Sequence, residues 1–193
     1  MLSIGIDLAG LEKNATGLCT IFHKDSTEYN IENIERVVVE DIFLSNDIIS
    51  RVKDINPDII AIDAPFSVPD NIWRLSETHL ISRGFHPISP TLENMKVLAR
   101  RAVFLNQQLS EYKRIETFPR AVEALLKTDK ITLIDSVRDR LEKKGKWERG
   151  KISKDQYDAI LCALCGLLHL NNKTEILGNN ENFYDQIIIP KIG

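Results

Sequence analysis

Two acidic residues each end a short apolar run that has the composition of a buried strand. The segment LSIGIDLAG, residues 2–10, places Asp7 after its apolar residues, and IIAIDAPFS, residues 59–67, places Asp63 in the same position. In an α/β sheet the carboxyl ends of strands face the crevice where ligands bind. If these two strands are neighbours, their carboxylates converge, and like charges held together require a cation or a proton. A divalent metal ion would meet this requirement.

Three further acids are candidates for the same cluster. Glu116 ends a fifth predicted strand, although an acid there also suits the start of a loop. Asp155 and Asp158 are three residues apart on one face of a predicted helix. Asp155 in the first turn would also favour the helix dipole, whereas Asp158 directly precedes the apolar run AILCALCGLL and needs a partner. Such oxygen ligands suit Mg²⁺ or Mn²⁺, and two ions about 4 Å apart support phosphoryl transfer.

Basic and aromatic residues supply candidate contacts for nucleic acid. Residues 138–154 contain eight Lys and Arg against three acids, whereas the whole chain has a formal net charge of -3. That balance argues against a protein that coats nucleic acid through charge alone. The basic stretch KKGKWERGK could hold a phosphate backbone and stack a base, although charge runs are more often solvated loops. Guanidinium groups suit phosphate, although a solvated helix with a local ion pair is an alternative for Arg74. The candidate substrate-binding residues are Arg74, Arg83, Lys146, Trp147, Arg149 and Lys151.

The elements that must position these residues form a β-rich half followed by an alternating α and β half. Hydrophobic periodicity and turn residues predict strands over residues 2–8, 17–23, 34–39, 59–62 and 114–117. Helices are predicted over 46–55, 71–82, 89–109, 120–127 and 131–144. A last long helix begins at Ser153, because SKDQ has the form of a capping box. The segment IIIP predicts a late strand or an extended tail.

Length and composition predict one domain. The 193 residues are 43% hydrophobic, which is enough for a packed core. We expect a single domain over 1–193, with a helical insert at about 66–112 and a basic loop at about 143–152. The three cysteines predict reduced thiols, and the pair in CALC predicts core packing rather than a zinc site. No signal-peptide pattern or membrane-spanning stretch is found, so we expect a cytoplasmic protein without a membrane partner.

Four motifs occur in order along nearly the whole chain: IGIDLAG, IAIDAPFS, IETFP and KDQYDAILCAL. Together they resemble an uncharacterised family of predicted nucleases with an RNase H-like fold. The opening strands, the two strands that end in Asp and the D-x-x-D-A helix are also similar to RuvC-type Holliday junction resolvases. This resemblance implies a five-stranded mixed sheet of order 3-2-1-4-5 flanked by helices. It also implies a metal-dependent phosphodiesterase centre that acts on nucleic acid.

The resemblance assigns roles to the five acids. Asp7 and Asp63 would be the core metal ligands, and Asp158 a further ligand on the last helix. Asp155 is the other acid of the helical motif, and Glu116 matches an acid in the E-x-x-P element of the uncharacterised family. All five are therefore candidate catalytic residues. RuvC-type resolvases commonly have Glu where this chain has Asp63, and the insert after the fourth strand resembles the uncharacterised family instead, so junction resolution is not implied.

These features favour a Mg²⁺- or Mn²⁺-dependent nuclease that hydrolyses phosphodiester bonds with two metal ions. Two alternatives stay open. The actin-like superfamily of nucleotide-binding ATPases and kinases shares the sheet and begins with Asp and glycine, as in DLAG, but usually pairs two such domains. A non-catalytic scaffold that binds nucleic acid or a protein would keep the acids as members of ion pairs. Metal binding discriminates between the nuclease and the scaffold.

Overall fold

The computed structural model describes residues 1–24, 30–67, 73–89, 91–144 and 151–191. These residues form a six-stranded mixed sheet, a two-stranded sheet and six α-helices. The strands are β1 (Leu2–Asp7), β2 (Thr16–His23), β3 (Ile34–Ile42), β4 (Ile59–Asp63), β5 (Arg114–Glu116), β6 (Leu141–Lys144), β7 (Thr174–Gly178) and β8 (Gln186–Pro190). The helices are α1 (Ser45–Ile55), α2 (Leu75–Ser82), α3 (Glu93–Gln108), α4 (Pro119–Leu125), α5 (Lys130–Val137) and α6 (Lys154–Leu170).

The strand order of the main sheet is β5-β4-β1-β2-β3-β6. The first three strands form an antiparallel meander, β4 is parallel to β1, and β5 is parallel to β4. The predicted mixed sheet and its order 3-2-1-4-5 are therefore confirmed. The difference is one additional strand, β6, which is parallel to β3.

Strand β6 lies where the sequence predicted the end of a helix over 131–144. Helix α5 ends at Val137, and the chain then makes a 3-10 turn before it joins the sheet. Leu141 packs against the core, and the guanidinium of Arg36 donates to both oxygens of Glu142, at 2.9 and 2.7 Å. Lys143 and Lys144 are therefore part of a strand rather than of the predicted basic loop. A four-residue strand with two lysines carries little hydrophobic pattern, which explains the error.

The two faces of the main sheet are covered by different helices. Helix α6 packs on one face, against β1, β2 and β4, and its apolar residues form one core with side chains such as Ile21 and Ile59. Residues of α1 and α3 form a second core with Ile6 and Ile62 on the opposite face. Alternate residues of each strand thus enter different cores, as the period of a β-strand requires.

A third apolar cluster joins α2 and α4 to the β7–β8 hairpin. The predicted late strand is confirmed as β8. Helix α3 begins at Glu93 rather than at residue 89, because Leu92 is its N-terminal cap. The capping box at Ser153 is present as predicted. Among the described helices, none has the length and apolarity needed to cross a bilayer.

Candidate active site

Asp7 and Asp63 lie side by side at the carboxyl ends of two neighbouring parallel strands. They are direct partners in the register of β1 and β4. Gly5 of β1 and Ala61 of β4 face α6. Asp7 follows Gly5 by two residues, and Asp63 follows Ala61 by two residues. Because side chains alternate along a strand, both carboxyl groups point to the α6 face. The adjacency that the sequence analysis required is therefore present.

Two glycines bring the start of α6 down onto these acids. A Cβ atom at Gly5 would lie 2.0 Å from the backbone oxygen of Ala159, and one at Gly17 would lie 2.1 Å from that of Asp155. No side chain fits in either gap, so the helix backbone rests directly on β1 and β2. The capping box fixes where the helix starts, since Ser153 accepts from the N–H of Gln156 at 3.0 Å. The first turns of α6 are thereby held over the ends of the strands.

Asp158 is the third acid of the group. It is on α6, its side chain is 15% exposed, and it accepts a hydrogen bond from Nζ of Lys154 at 2.8 Å. Asp155 also lies near enough to influence Asp7 electrostatically, but the described residues that line the adjacent cleft do not include it. Three aspartates therefore line the cleft, and a fourth, Asp155, lies near Asp7 outside the described lining.

The charges of these acids are poorly compensated. Burial raises the pKa of Asp7 from 3.8 to about 7, and the neighbouring carboxylates of Asp158 and Asp155 add to that rise. Burial also raises the pKa of Asp63 well above its ordinary value, with contributions from Asp7 and Asp158. Lys154 lowers the pKa of both but does not cancel the rise. A proton or a metal ion is required to neutralise the group.

Glu116 extends from the other face of the sheet, because its register differs by one residue. It is opposite Ile62 in β4, and Ile62 belongs to the core on the far face of the sheet. The partner of Asp63 in this row is Thr117, whose backbone N–H donates to the oxygen of Ile62 at 3.0 Å. A shift of one residue moves a side chain to the other face. Glu116 therefore does not extend from the same face as Asp7 and Asp63, although it lines the same cleft and its charge adds to the raised pKa of Asp63.

Glu116 instead belongs to a buried ion-pair cluster, which consists of Arg74, Glu77 and Glu116. The Arg74 side chain is 3% exposed and its guanidinium contacts both glutamates. Glu116 also accepts from the N–H of Phe66 at 2.8 Å, and Glu77 accepts from the N–H of Arg74 at 2.7 Å. The predicted role of Arg74 as a phosphate contact does not match this environment, since its donors are already used within the protein.

Arg83 is also held by an acid. Its Nη1 and Nη2 atoms donate to the carboxylate of Glu175 in β7, at 2.5 and 2.7 Å. Arg83 is not among the described residues that line the cleft next to Asp7 and Asp63. The structure thus does not bring Arg83 to the acidic site, because the β7–β8 hairpin, which the sequence analysis did not pair, supplies its partner.

The predicted basic loop lies partly outside the described residues, which exclude Lys146, Trp147 and Arg149. Both ends of the segment are described. Lys144 ends β6, and Nζ of Lys143 donates to the backbone oxygen of Lys151 at 3.2 Å. β6 runs in the same direction as β1, so its carboxyl end is at the same edge of the sheet as Asp7. Three strand spacings separate β6 from β1, which is about 14 Å.

The acids open into a cleft of about 200 Å³. We call Asp7, Asp63 and Asp158 the acidic floor of the cleft. Four apolar residues, Pro87, Ile88, Met95 and Leu98, line the same cleft, and we call them the aliphatic wall. The side chains of Arg120 and Lys154 also line the cleft, as do residues of the buried ion-pair cluster.

Sequence reasoning missed Lys154, Arg120 and the aliphatic wall as site features. Lys154 had a usable signal, because it is four residues before Asp158 at the start of the helix, where side chains four apart are neighbours. Arg120 and the wall had no such signal, since only the tertiary structure brings residues 86–88, 95, 98 and 117–120 to the cleft beside Asp7 and Asp63.

The composition of the acidic floor fits a hard divalent cation. Carboxylate oxygens are the ligands that Mg²⁺ and Mn²⁺ prefer, and burial together with the neighbouring carboxylates raises the pKa values of Asp7 and Asp63. Among the described residues, no three His, Cys, Asp or Glu side chains already form a group that could hold a metal ion. Asp158 is turned to Lys154, so a third ligand from α6 requires that ion pair to open.

Comparisons with known proteins bear on the fold. No protein-family model and no curated protein matches the sequence. Two solved structures of RuvC from Thermus thermophilus, one of them in complex with Holliday junction substrate, are similar to this chain. Each is 12% identical in sequence with a TM-score of 0.52, over 89% of this chain and 95% of the RuvC chain. The chain has an RNase H-like fold.

The predicted similarity to RuvC-type resolvases is thus confirmed at the level of the fold. At 12% identity the comparison carries no residue roles from RuvC to this chain. The resemblance to the uncharacterised family of predicted nucleases stays a prediction.

Proposed function

We propose that the protein is a Mg²⁺- or Mn²⁺-dependent nuclease that hydrolyses phosphodiester bonds. The observation that carries the proposal is the pairing of Asp7 with Asp63 in adjacent parallel strands, with Asp158 above them and too little positive charge nearby. Structural acids are normally compensated, as Glu116 is by Arg74. An uncompensated carboxylate group in a cleft is expected at a site that binds a cation or transfers protons. The RNase H-like fold supports this choice by analogy only.

Asp7 and Asp63 would hold the cation from the sheet, and Asp158 would complete the ligand set from α6. We propose two ions, which when bound would polarise the phosphate and lower the pKa of an attacking water. By fixing the positions of the bound cations, the acids would orient the phosphodiester. Lys154 holds Asp158 in place at 2.8 Å before the cation binds. Asp155 contributes negative charge behind Asp7.

Nucleic acid is the proposed partner. Lys144 brings the start of the basic segment to the same edge of the sheet as the acids, and Lys151 returns the chain to α6. The two described ends of this segment, Lys144 and Lys151, would contact the phosphate backbone on either side of the cleaved bond. Arg120, which is exposed and lines the cleft, supplies a guanidinium nearer to the acids. Arg74 and Arg83 are left out of this interface because Glu116 and Glu175 hold them.

A cleavage assay tests the proposal. The wild type is incubated with labelled single-stranded, duplex and four-way-junction DNA and RNA, with Mg²⁺, with Mn²⁺ and with EDTA. We expect metal-dependent cleavage of at least one substrate, reduced at least about 100-fold in both Asp7→Asn and Asp63→Asn because each removes a charged ligand. Cleavage that survives in EDTA, or in either variant, contradicts the proposal. ATP binding without nucleic-acid binding would instead favour the actin-like alternative.

A further inference from the structure

The aliphatic wall of the cleft is not explained by the protein's own core. Ile88 is 57% exposed, and neither Ile88 nor Met95 is part of the described apolar clusters of the protein. Leu98 of α3 packs partly against the second core, yet it also lines the cleft. Burying such a surface against a ligand is favourable, in proportion to the apolar area covered. The wall therefore indicates a ligand with an apolar face.

The wall and the acidic floor line one cleft. The volume of this cleft is about 200 Å³. That space suits one planar base together with part of its sugar, whereas a base pair within a duplex brings two bases and two backbones. A ligand that touches both sides has a phosphate at the floor and an apolar face at the wall. An unpaired nucleotide has both.

The charges in the cleft also disfavour a duplex held along its backbone. Duplex binding depends on many Lys and Arg contacts to both strands, and the chain has a formal net charge of -3. Among the described residues that line the cleft, the cationic side chains are Arg74, Arg120 and Lys154. Arg74 is committed to Glu77 and Glu116. Local recognition of one phosphate and one base suits this composition better.

We infer that the cleft binds one unpaired nucleotide, with its base against the aliphatic wall and its phosphodiester at the acidic floor. The substrate class is then single-stranded nucleic acid rather than continuous duplex. This inference rests on the proposed function. An aliphatic surface presents no hydrogen-bond donors to base edges, so it reads shape rather than sequence, and the four bases should bind with similar affinity.

A binding experiment without metal separates this inference from the nuclease proposal. The Asp7→Asn, Asp63→Asn double variant in EDTA lacks two of the three carboxylates of the floor and holds no cation, so its binding does not depend on metal. Further substitutions in the wall then isolate the contribution of the wall. Its binding to a labelled twelve-residue oligo-dT is measured by fluorescence anisotropy, beside the duplex of the same strand with oligo-dA and a four-way junction. Circular dichroism checks the fold of each variant.

We expect saturable binding of the single strand and at least about tenfold weaker binding of the duplex. Adding Ile88→Ser or Met95→Ser should weaken single-strand binding about tenfold, because each removes one aliphatic contact. Ile88→Leu should keep the affinity. The matched control is Ile131→Ser, which changes a 76% exposed residue of α5 that does not line the cleft and should have no effect.

Three results would overturn the inference. They are duplex or junction binding as tight as that of the single strand, wall variants that bind like the control, and no saturable single-strand binding up to about 100 μM. None of these results depends on metal or cleavage. If the protein cleaves duplex and the wall variants bind like the control, the proposed function stands and this inference fails. If the protein binds single strands but shows no metal-dependent cleavage, the inferred binding site stands and the proposed function fails.

Discussion

The acidic floor and the buried ion-pair cluster lie at the same edge of the same sheet, yet the charges of their carboxyl groups are compensated to different extents. In the ion-pair cluster, one guanidinium contacts both glutamates, and Glu116 and Glu77 each accept from a backbone N–H. In the acidic floor, Asp7 and Asp63 adjoin each other and the nearby Lys154 has a side chain that is 74% exposed.

The pKa values reflect this contrast. Burial raises the pKa of Glu116, but Arg74 and its hydrogen bonds oppose the rise. The pKa of Asp7 rises to about 7 because burial and its acidic neighbours act in the same direction. The comparison indicates that a strand-end acid with an arginine partner has a structural role. Paired acids without an arginine partner are suited to bind a cation. Four predictions test this distinction.

The largest expected effect is the loss of the buried arginine. Arg74→Met leaves Glu77 and Glu116 buried without their cation, which should cost about 3–5 kcal/mol of the free energy of unfolding. The matched control is Arg83→Met, because the pair of Arg83 with Glu175 is partly exposed and should contribute at most about 1 kcal/mol. Urea unfolding measures both. Equal losses in the two variants would contradict a structural role specific to Arg74.

Asp7→Asn should stabilise the metal-free protein at neutral and higher pH. The pKa of Asp7 is about 7 in the folded state against an ordinary value of 3.8, so the folded protein binds the proton more tightly than the unfolded chain. Wild-type stability relative to the variant should therefore fall from about pH 4 to about pH 7 and stay constant above. The full difference is up to about 4 kcal/mol. Unfolding in EDTA across this pH range checks it, and a difference independent of pH would contradict it.

Neutralising one acid from each region should change stability with opposite signs. Glu116→Gln weakens the contacts with Arg74 and should destabilise the protein by about 1–3 kcal/mol. Asp63→Asn removes a carboxylate whose pKa is raised by burial and by Asp7, so it should stabilise the metal-free protein at pH 8. Thermal unfolding in EDTA compares the two isosteric changes. Destabilisation by both would mean that the floor is also structural.

The smallest expected effect concerns Lys154. Its ammonium competes with a cation for Asp158 at 2.8 Å and lowers the pKa of Asp7. Lys154→Met should therefore raise the affinity for Mn²⁺ about two- to fivefold, a small change because the lysine is exposed. Lys96→Met is the control, since Lys96 pairs with Glu93 at the start of α3. Weaker Mn²⁺ binding in Lys154→Met would show that the lysine instead supports the site.

Much of the sheet could be predicted from the sequence because local signals were strong. Strands β1 and β4 have continuous apolar runs that end in an acid, and the capping box at Ser153 marks the start of α6. The pairing of Asp7 with Asp63 was predicted on the condition that β1 and β4 are neighbours, and the two strands are parallel neighbours in the sheet. Strand β6 was missed because its sequence LEKK has weak strand character, and its position depends on contacts with β3.

The orientation of Glu116 could not be predicted for a different reason. Strand β5 has three residues, too few for the sequence pattern to define which residue lies opposite Asp63. The partner of Glu116 is also distant in sequence, since Arg74 is 42 residues away. A shift of one residue thus decided the face of the sheet from which Glu116 extends, and only the tertiary structure determines that shift.

The most direct test of the central claim is a calorimetric titration of Mn²⁺ into the wild type and into the variants Asp7→Asn, Asp63→Asn and Glu116→Gln, with the fold of each checked by circular dichroism. The acidic floor predicts Mn²⁺ binding in the wild type and in Glu116→Gln, and its loss in both aspartate variants. Folded wild type that binds no Mn²⁺, or aspartate variants that bind it as well as the wild type does, would contradict the claim that these two acids form a cation site.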